Sequence, residues 1–202
     1  MMFAQTTRPS VAAYTPPAPQ MPPTAQPQQF AVETQGVTKR YGRQTVVNQL
    51  NLAIPSGGVY GFLGPNGAGK STTMKMLLGL AKPTTGEVRV FGRDLRANRA
   101  DILPRIGSLI EGPAFYPHLT GAQNLRIVAD YLSCDKSSID AVLDIVGLTD
   151  AAGKRARQYS LGMKQRLGIA MALISGPELL LLDEPTNGLD PAGVAEIRNL
   201  IV

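Results

Sequence analysis

The chain has 202 residues, of which 44% are hydrophobic, and its formal net charge is +5. That apolar fraction excludes wholesale disorder, and the length favours one domain with an appendage. A single cysteine, Cys134, excludes an intramolecular disulfide framework and any zinc site built from cysteines. The mild positive charge is compatible with nucleic acid or an anionic membrane surface and is diagnostic of neither.

The segment that comes closest to a membrane span, residues 167–182, is interrupted by Ser175, Gly176, Pro177 and Glu178. A spanning helix needs about 20 consecutive apolar residues. The N-terminus also lacks the apolar stretch of a secretory signal. The sequence therefore predicts a cytoplasmic protein.

Residues 1–30 are rich in Pro, Gln, Ala and Thr and show no hydrophobic periodicity. Such a segment cannot bury enough apolar area to offset the entropy that it loses on ordering. We predict a disordered or polyproline-like tail at 1–30, followed by a folded domain at 31–202. A proline-rich ligand for another domain is the alternative interpretation of the tail.

From Glu33 onward, short β-rich runs alternate with helical patterns, which is typical of an α/β fold with a mainly parallel sheet. The predicted strands are Val46–Ile54, Val59–Leu63, Glu87–Phe91, Ile106–Ile110 and Leu179–Asp183. The predicted helices are Gly69–Leu80, Ala122–Leu132, Ser138–Val146, Leu161–Ile174 and one that starts near Ala192. The stretch at about 111–160 carries helices and no convincing strand, so we expect it to be a helical insertion.

A glycine-rich loop stands between the predicted strand Val59–Leu63 and the first predicted helix. Its residues are Gly64, Pro65, Asn66, Gly67, Ala68, Gly69, Lys70, Ser71 and Thr72. They fit the phosphate-loop pattern of two spaced glycines followed by Lys and Ser/Thr. Glycines let successive N–H groups point at phosphate oxygens, and the helix N-terminus adds partial positive charge. We expect Lys70 to contact the β- and γ-phosphates and Ser71 to ligate Mg²⁺; the alternative is a glycine-rich turn.

Four leucines at 179–182 lead directly into Asp183 and Glu184. The run predicts a buried strand whose carboxyl end reaches a ligand, because ligands of open parallel sheets bind at those ends. Asp183 would hold Mg²⁺ through its water shell, and Glu184 would orient or polarise the attacking water in phosphoryl transfer. By itself the run also fits a solvated strand end, but its position downstream of a phosphate loop favours the site.

Three motifs follow one another along the chain: the phosphate loop, the run Tyr159-Ser160-Leu161-Gly162-Met163-Lys164-Gln165-Arg166, and the run Leu182-Asp183-Glu184-Pro185-Thr186-Asn187-Gly188-Leu189-Asp190. Together they resemble the nucleotide-binding domain of an ABC transporter, from about Ala31 onward. The resemblance implies a P-loop NTPase with an N-terminal antiparallel β part and a helical insertion. It also implies an ATPase that uses ATP and Mg²⁺ and pairs, as a homo- or heterodimer, with a second ATPase domain.

Further site residues follow from the resemblance. Ser160 and Gly162 would contact the γ-phosphate across the dimer, although Leu161 stands where most relatives have another glycine. Tyr41 matches the aromatic residue that stacks on adenine, and Asp190 belongs to the loop that links the two active sites. The alternatives are an N-cap at Ser160, packing at Tyr41, and a turn followed by a helix start at Asp190.

Glu111 stands where most relatives place a glutamine that senses Mg²⁺ and the transmembrane partner. This substitution, with the run from Phe115 to Gly121, is similar to the bacitracin and lantibiotic self-protection exporters. A carboxylate can ligate Mg²⁺ directly and more strongly than an amide. The family's switch histidine would follow the Asp190 loop beyond Val202, so we expect a chain truncated at its C-terminus; His118 is expected to be a solvated loop residue.

The resemblance implies a subunit that lies peripherally on the cytoplasmic face of the cell membrane, held there only through its partners. It would power export of a peptide antibiotic or other amphiphile through separate ABC transmembrane subunits, without binding nucleic acid. Two alternatives remain open: a truncated fragment that binds nucleotide but is impaired in hydrolysis, and a soluble ABC protein that acts on nucleic acid or ribosomes.

Overall fold

The computed structural model describes residues 29–201, so the tail predicted at 1–30 lies almost entirely outside the described residues. The strands are β1 (Phe30–Tyr41), β2 (Gln44–Pro55), β3 (Thr85–Val90), β4 (Arg93–Asp94), β5 (Ile106–Leu109) and β6 (Leu179–Leu182). The α-helices are α1 (Lys70–Leu77), α2 (Arg99–Ile102), α3 (Gly121–Leu132), α4 (Ser137–Ile145), α5 (Leu161–Leu173) and α6 (Pro191–Ile201).

The N-terminal half forms an antiparallel sheet with the strand order β2-β1-β3-β4. Val32 and Val37 of β1 pack with Val88 and Val90 of β3 and with Met76 and Leu77 of α1 in one hydrophobic core. Strand β1 was not among the predicted strands, because Gly36 and the polar residues around it interrupt the alternation of apolar side chains. The sheet confirms the expected N-terminal antiparallel part.

Strands β5 and β6 form a parallel pair in which Ile106 lies beside Leu179 and Leu109 beside Leu182. Helix α5 packs so closely on β5 that a Cβ atom on Gly107 would lie 2.1 Å from the carbonyl oxygen of Ala172. The carboxyl ends of both strands therefore meet at one edge of the pair. The segments that carry Glu111 and Asp183 begin at that edge, where open α/β sheets bind ligands.

The predicted strand Val59–Leu63 is wrong. Residues 59–63 form no strand, and Val59 and Leu63 are 65% and 93% exposed. A buried parallel strand requires hydrogen-bonded neighbours and helices that cover both faces. Within residues 29–201 this segment joins neither sheet, so its apolar composition does not produce a buried strand.

Residues between β5 and α5 contain helices α3 and α4, and no strand of the described chain lies there. Helix α3 begins with a capping box in which Thr120 accepts from the Gln123 N–H and the Gln123 side chain accepts from the Thr120 N–H. Leu125, Val142 and Leu167 pack the three helices α3, α4 and α5 into a second core. The antiparallel N-terminal part, the parallel pair and the helical insertion confirm the predicted α/β fold class.

No helix in the described range is both long enough and apolar enough to cross a membrane.

Candidate functional site

The phosphate loop leads into the N-terminus of α1 through two glycines with left-handed backbone angles. Gly67 has φ of 82° and Gly69 has φ of 87°. At Gly69 a Cβ atom would lie 2.7 Å from the carbonyl oxygen of Val46, so β2 leaves no space for any other residue there. Close packing against β2 therefore fixes the curl of the loop, which the glycine spacing alone predicts only in outline.

The Lys70 side chain curls back over the loop that precedes it. Its ammonium donates to the carbonyl oxygens of Gly64 at 2.8 Å and Pro65 at 3.1 Å. The first N–H groups of a helix have no partner inside the helix, and they carry its partial positive charge. The loop thus combines a full cationic charge with unpaired backbone donors, which is the chemistry that binds a polyphosphate.

A cavity of about 300 Å³ opens at this point. Its lining residues are Val46, Asn66, Gly67, Gly69, Lys70, Ser71, Thr72 and Glu184. Most of these residues were predicted from the glycine-rich motif, and the structure adds Val46. A larger cavity, of about 600 Å³, lies elsewhere, between the end of α1 and the β3–β4 hairpin. We assign the nucleotide to the smaller cavity, because only that one contains the phosphate-loop donors.

The acidic pair at the end of β6 is split between two environments. Asp183 is buried, and its N–H donates to the carbonyl oxygen of Leu109 at the end of β5. Glu184 is half-exposed, has φ of 46°, and directs its Oε1 to within 4.0 Å of the Lys70 Nζ. Asn187 donates from Nδ2 to the other oxygen of Glu184 at 3.2 Å. These two environments fit the predicted roles: the buried Asp183 as a ligand of the metal ion, and the exposed Glu184 as the catalytic carboxylate in contact with water.

Glu111 follows β5 and forms a hydrogen-bonded ion pair with Lys75 of α1. The hydrogen bond to Glu111 is the main cause of a raised pKa at Lys75, and the charges of Glu111, Tyr41 and Asp183 add to it. Lys75 was not among the predicted site residues. Its position four residues after Ser71, and therefore on the same helix face, was the signal that could have indicated it.

The side-chain oxygens near the carboxyl ends of β5 and β6 and at the start of α1 are of the kind that Mg²⁺ binds. The Ser71 hydroxyl lies at the cavity and Asp183 follows β6, while Glu111 is engaged by Lys75. Among the residues that the structure describes, no three acidic, histidine or cysteine side chains form a ready metal cluster. Mg²⁺ commonly binds through one or two carboxylates together with water and substrate phosphates, so this set is chemically suitable.

Tyr41 lies at the end of β1 and is 52% exposed. The Lys39 ammonium sits 4.7 Å from the centre of its ring. Tyr41 does not line the phosphate cavity. The role of Tyr41 in stacking on adenine stays a prediction.

The second predicted motif lies at the N-terminus of α5, away from the phosphate cavity. The Ser160 hydroxyl accepts from the Met163 N–H at 3.2 Å, so Ser160 is an N-cap. Leu161 is half-exposed, and its Cδ2 would lie 3.2 Å from a Cβ atom on Gly188. Gly162 has space for a side chain, with its nearest neighbour, Leu189, at 3.9 Å from a built Cβ. These residues do not reach the chain's own cavity, which agrees with a role toward another chain.

Helix α5 is tied to the segment after Glu184 by a residue that sequence reasoning missed. The buried side chain of Gln165 donates from Nε2 to the carbonyl oxygen of Pro185 at 3.0 Å, while its Oε1 has no partner in the described range. Asp190, predicted to belong to the loop that links the two active sites, accepts from the Gly193 N–H at 3.1 Å and so caps α6. His118 is exposed, as expected.

A scan against protein families matches residues 47–187 to the family described as ABC transporter. The bacitracin transport ATP-binding protein BcrA of Bacillus licheniformis is 54% identical over 171 residues, which are 84% of this chain and 56% of that protein. The lantibiotic transport ATP-binding protein SrtF of Streptococcus pyogenes is 48% identical over 170 residues, 84% of this chain and 73% of that protein. The chain thus spans little more than half the length of BcrA.

Two solved structures of ATP-binding cassette proteins are similar in fold to this chain. One is cbiO1 from Clostridium perfringens, part of the ABC transporter complex cbiONQ, with a TM-score of 0.77, 28% identity and coverage of 87% of this chain and 73% of that one. Another is a dimeric ATP-binding cassette in a post-hydrolysis state bound to ADP and Pi, with a TM-score of 0.74, 27% identity and coverage of 84% of this chain and 81% of that one.

Proposed function

Because this chain belongs to the ABC transporter family, we propose that it binds Mg-ATP at the phosphate loop and hydrolyses it to power transport through separate membrane subunits. The observation that supports this most strongly is the convergence of Lys70 and Glu184 on one cavity, with the two charged atoms 4.0 Å apart. A cation for phosphate and a carboxylate open to water are the two groups that in-line attack by water requires.

Each group has a distinct part in the proposed reaction. The loop N–H groups and Lys70 hold the β- and γ-phosphates, and Glu184 orients a water molecule and accepts its proton. Bound Mg²⁺ would neutralise phosphate charge, held by Ser71, Asp183 and Glu111. Asn187 holds one Glu184 oxygen at 3.2 Å, which leaves the other oxygen facing Lys70.

The proposed active unit contains two chains that enclose two nucleotides. Ser160 and Gly162 of one chain would face the γ-phosphate bound at Lys70 of the other. Two features support this: the N-terminus of α5 attracts anions, and Gly162 leaves open space beside its backbone. A second copy of the chain or a related ATPase domain would serve equally well as partner.

The membrane subunits are proposed to contact the helical insertion. Ile127 and Tyr131 are exposed and lie four residues apart on one face of α3, and Tyr116 is exposed in the segment that follows Glu111. Apolar and aromatic side chains of this kind are enriched at protein interfaces. Through this contact the chain would lie on the cytoplasmic face of the membrane. Similarity to BcrA and SrtF favours a peptide antibiotic or similar amphiphile as cargo, exported from the cell.

Phosphate release from ATP tests the proposal. We expect turnover by the chain and a loss of at least 100-fold in Glu184→Gln, with nucleotide binding retained, because general-base catalysis typically contributes about 10²–10⁴-fold. Glu87→Gln, at an exposed carboxylate of β3, is the matched control and should keep full turnover. Nucleotide binding without any phosphate release would favour a chain impaired in hydrolysis, and absence of both would refute the proposal.

A further inference from the structure

The Lys75–Glu111 ion pair joins helix α1 of the phosphate site to the segment that follows β5. Lys75 lies one helical turn after Ser71 on the same face of α1, and its ammonium holds the Glu111 carboxylate. Its side chain is 33% exposed and that of Glu111 is 66% exposed, so both can move without disturbing a packed core.

The backbone at Glu111 is held in an uncommon state. Glu111 has φ of 61° and the next residue, Gly112, has φ of 99°. The left-handed region is unfavourable for a residue with a side chain, so this conformation persists where other contacts favour it. Among the described residues, Glu111 makes its side-chain hydrogen bond and ion pair with Lys75.

The Lys75 ammonium is bound to Glu111, which is one of the side chains proposed to bind Mg²⁺. The negative charge of Asp183 also contributes to the raised pKa of Lys75. Lys75 contacts one of the two Glu111 carboxylate oxygens, Oε1. An ammonium at that carboxylate repels a metal ion that approaches the same group, so the two cations bind it in opposition.

We propose that Lys75 is a positioning residue that holds Glu111 and competes with Mg²⁺ for its carboxylate. Release of Glu111 from Lys75 then accompanies metal binding at the nucleotide site. This inference rests on the proposed function, because it concerns the metal of the same nucleotide site.

The test measures the Mg²⁺ concentration at half-maximal binding of a fluorescent ATP analogue to the full chain. Four proteins form a double-mutant cycle: the unmodified chain, Lys75→Met, Glu111→Gln and the double variant. We expect Lys75→Met to lower the Mg²⁺ midpoint by roughly three- to fivefold, the upper part of what a largely exposed ion pair contributes. In the Glu111→Gln background the same substitution should change the midpoint by less than about twofold.

Lys75→Arg is the conservative variant, since it keeps the charge and the pairing, and it should stay within about twofold of the unmodified chain. An equal shift of the midpoint in both backgrounds, or no shift in either, would overturn the role of Lys75. Binding of the analogue without Mg²⁺ separates failure of the proposed role of Lys75 from failure of the proposed function, because it reports nucleotide binding without the metal ion. If none of the four proteins binds it at any Mg²⁺ concentration, the proposed function fails and this proposal with it.

Discussion

The Lys70 Nζ lies 4.0 Å from the Glu184 Oε1, although the two residues are 114 positions apart in the chain (184 − 70). Helix α1 supplies one and the end of β6 supplies the other. The phosphate cavity opens between them, so a bound γ-phosphate would separate the two charges. This relationship is the basis of the predictions on nucleotide binding below.

Replacement of Lys70 by Ala should weaken ATP binding by roughly 10- to 100-fold, because a hydrogen bond to a charged group contributes about 1.5–3 kcal/mol. The measurement is a titration with a fluorescent ATP analogue. Lys136→Ala, at an exposed lysine before α4, is the matched control and should bind as the unmodified chain does. Equal affinity in all three proteins would remove Lys70 from the phosphate site.

Gly69→Ala should destabilise the fold far more than Gly57→Ala. The two glycines have similar left-handed angles, 87° and 81°, and the strain of that region costs a side chain about 1–2 kcal/mol in both. Only at Gly69 would the new Cβ also press on Val46 and Val47, at 2.7 Å and 2.9 Å, whereas Gly57 faces open space. Overpacking adds about 1–3 kcal/mol.

Urea unfolding of the two alanine variants measures this difference. Equal losses in free energy of unfolding would show that β2 yields to the added methyl group. In that case, the glycine at 69 would be required only for its backbone angle.

Ser160 is expected to have two separable roles. Ser160→Ala should lower the free energy of unfolding by about 1 kcal/mol, because it removes the cap on the Met163 N–H. Ser160→Asp should restore that stability, since Asp is an equally good N-cap, but its charge would repel the γ-phosphate of a partner chain. Urea unfolding and ATP-dependent dimerisation are measured on both variants. Full dimerisation of Ser160→Asp would restrict Ser160 to capping.

An ion pair at the start of the parallel strands should make stability depend on pH. Arg105 donates to both carboxylate oxygens of Glu178, at 2.5 Å and 2.6 Å, and this hydrogen bonding holds the pKa of Glu178 below its usual 4.5. A carboxyl group with a lowered pKa in the folded state contributes stability above the pKa of the unfolded chain, about 4.5, and loses it as pH falls through the lower folded value.

Glu178→Gln should therefore reduce stability at pH 7 and make little difference in strong acid. Urea unfolding from pH 7 to pH 3 measures the difference in free energy of unfolding between the unmodified chain and this variant, which should shrink as the pH falls. Asp140→Asn, at an exposed carboxylate outside the ion pairs of the described chain, should show no such trend. If that difference stays constant from pH 7 to pH 3, the Arg105–Glu178 ion pair does not make stability depend on pH.

Much of the site could be predicted from sequence because its chemistry is concentrated in short runs. The residues 64–72 are contiguous, and Asp183 and Glu184 follow an unbroken apolar strand, so local pattern places them on a loop and at a strand end. The Lys75–Glu111 pair could not be predicted in this way, because it depends on how α1 packs beside the end of β5.

The incorrect prediction of a strand at 59–63 has a different cause. Val59–Leu63 has the composition of a buried strand, but composition specifies only an affinity for apolar surroundings. Whether a run joins a sheet depends on a neighbour with a free edge, and in the described range none pairs with it. Strand β1 was missed for the opposite reason, because pairing with β2 and β3 overrides its weak pattern.

The most direct test of the account is the mass of Glu184→Gln in solution with and without ATP, measured by light scattering on a size-exclusion column. If two chains share two nucleotides, ATP should shift the species from the 21.5 kDa of one chain to twice that mass, because the complex forms and does not hydrolyse its nucleotide. The Lys70→Ala change in the same background should abolish the shift. A protein that binds ATP and stays at the mass of one chain would contradict the shared site.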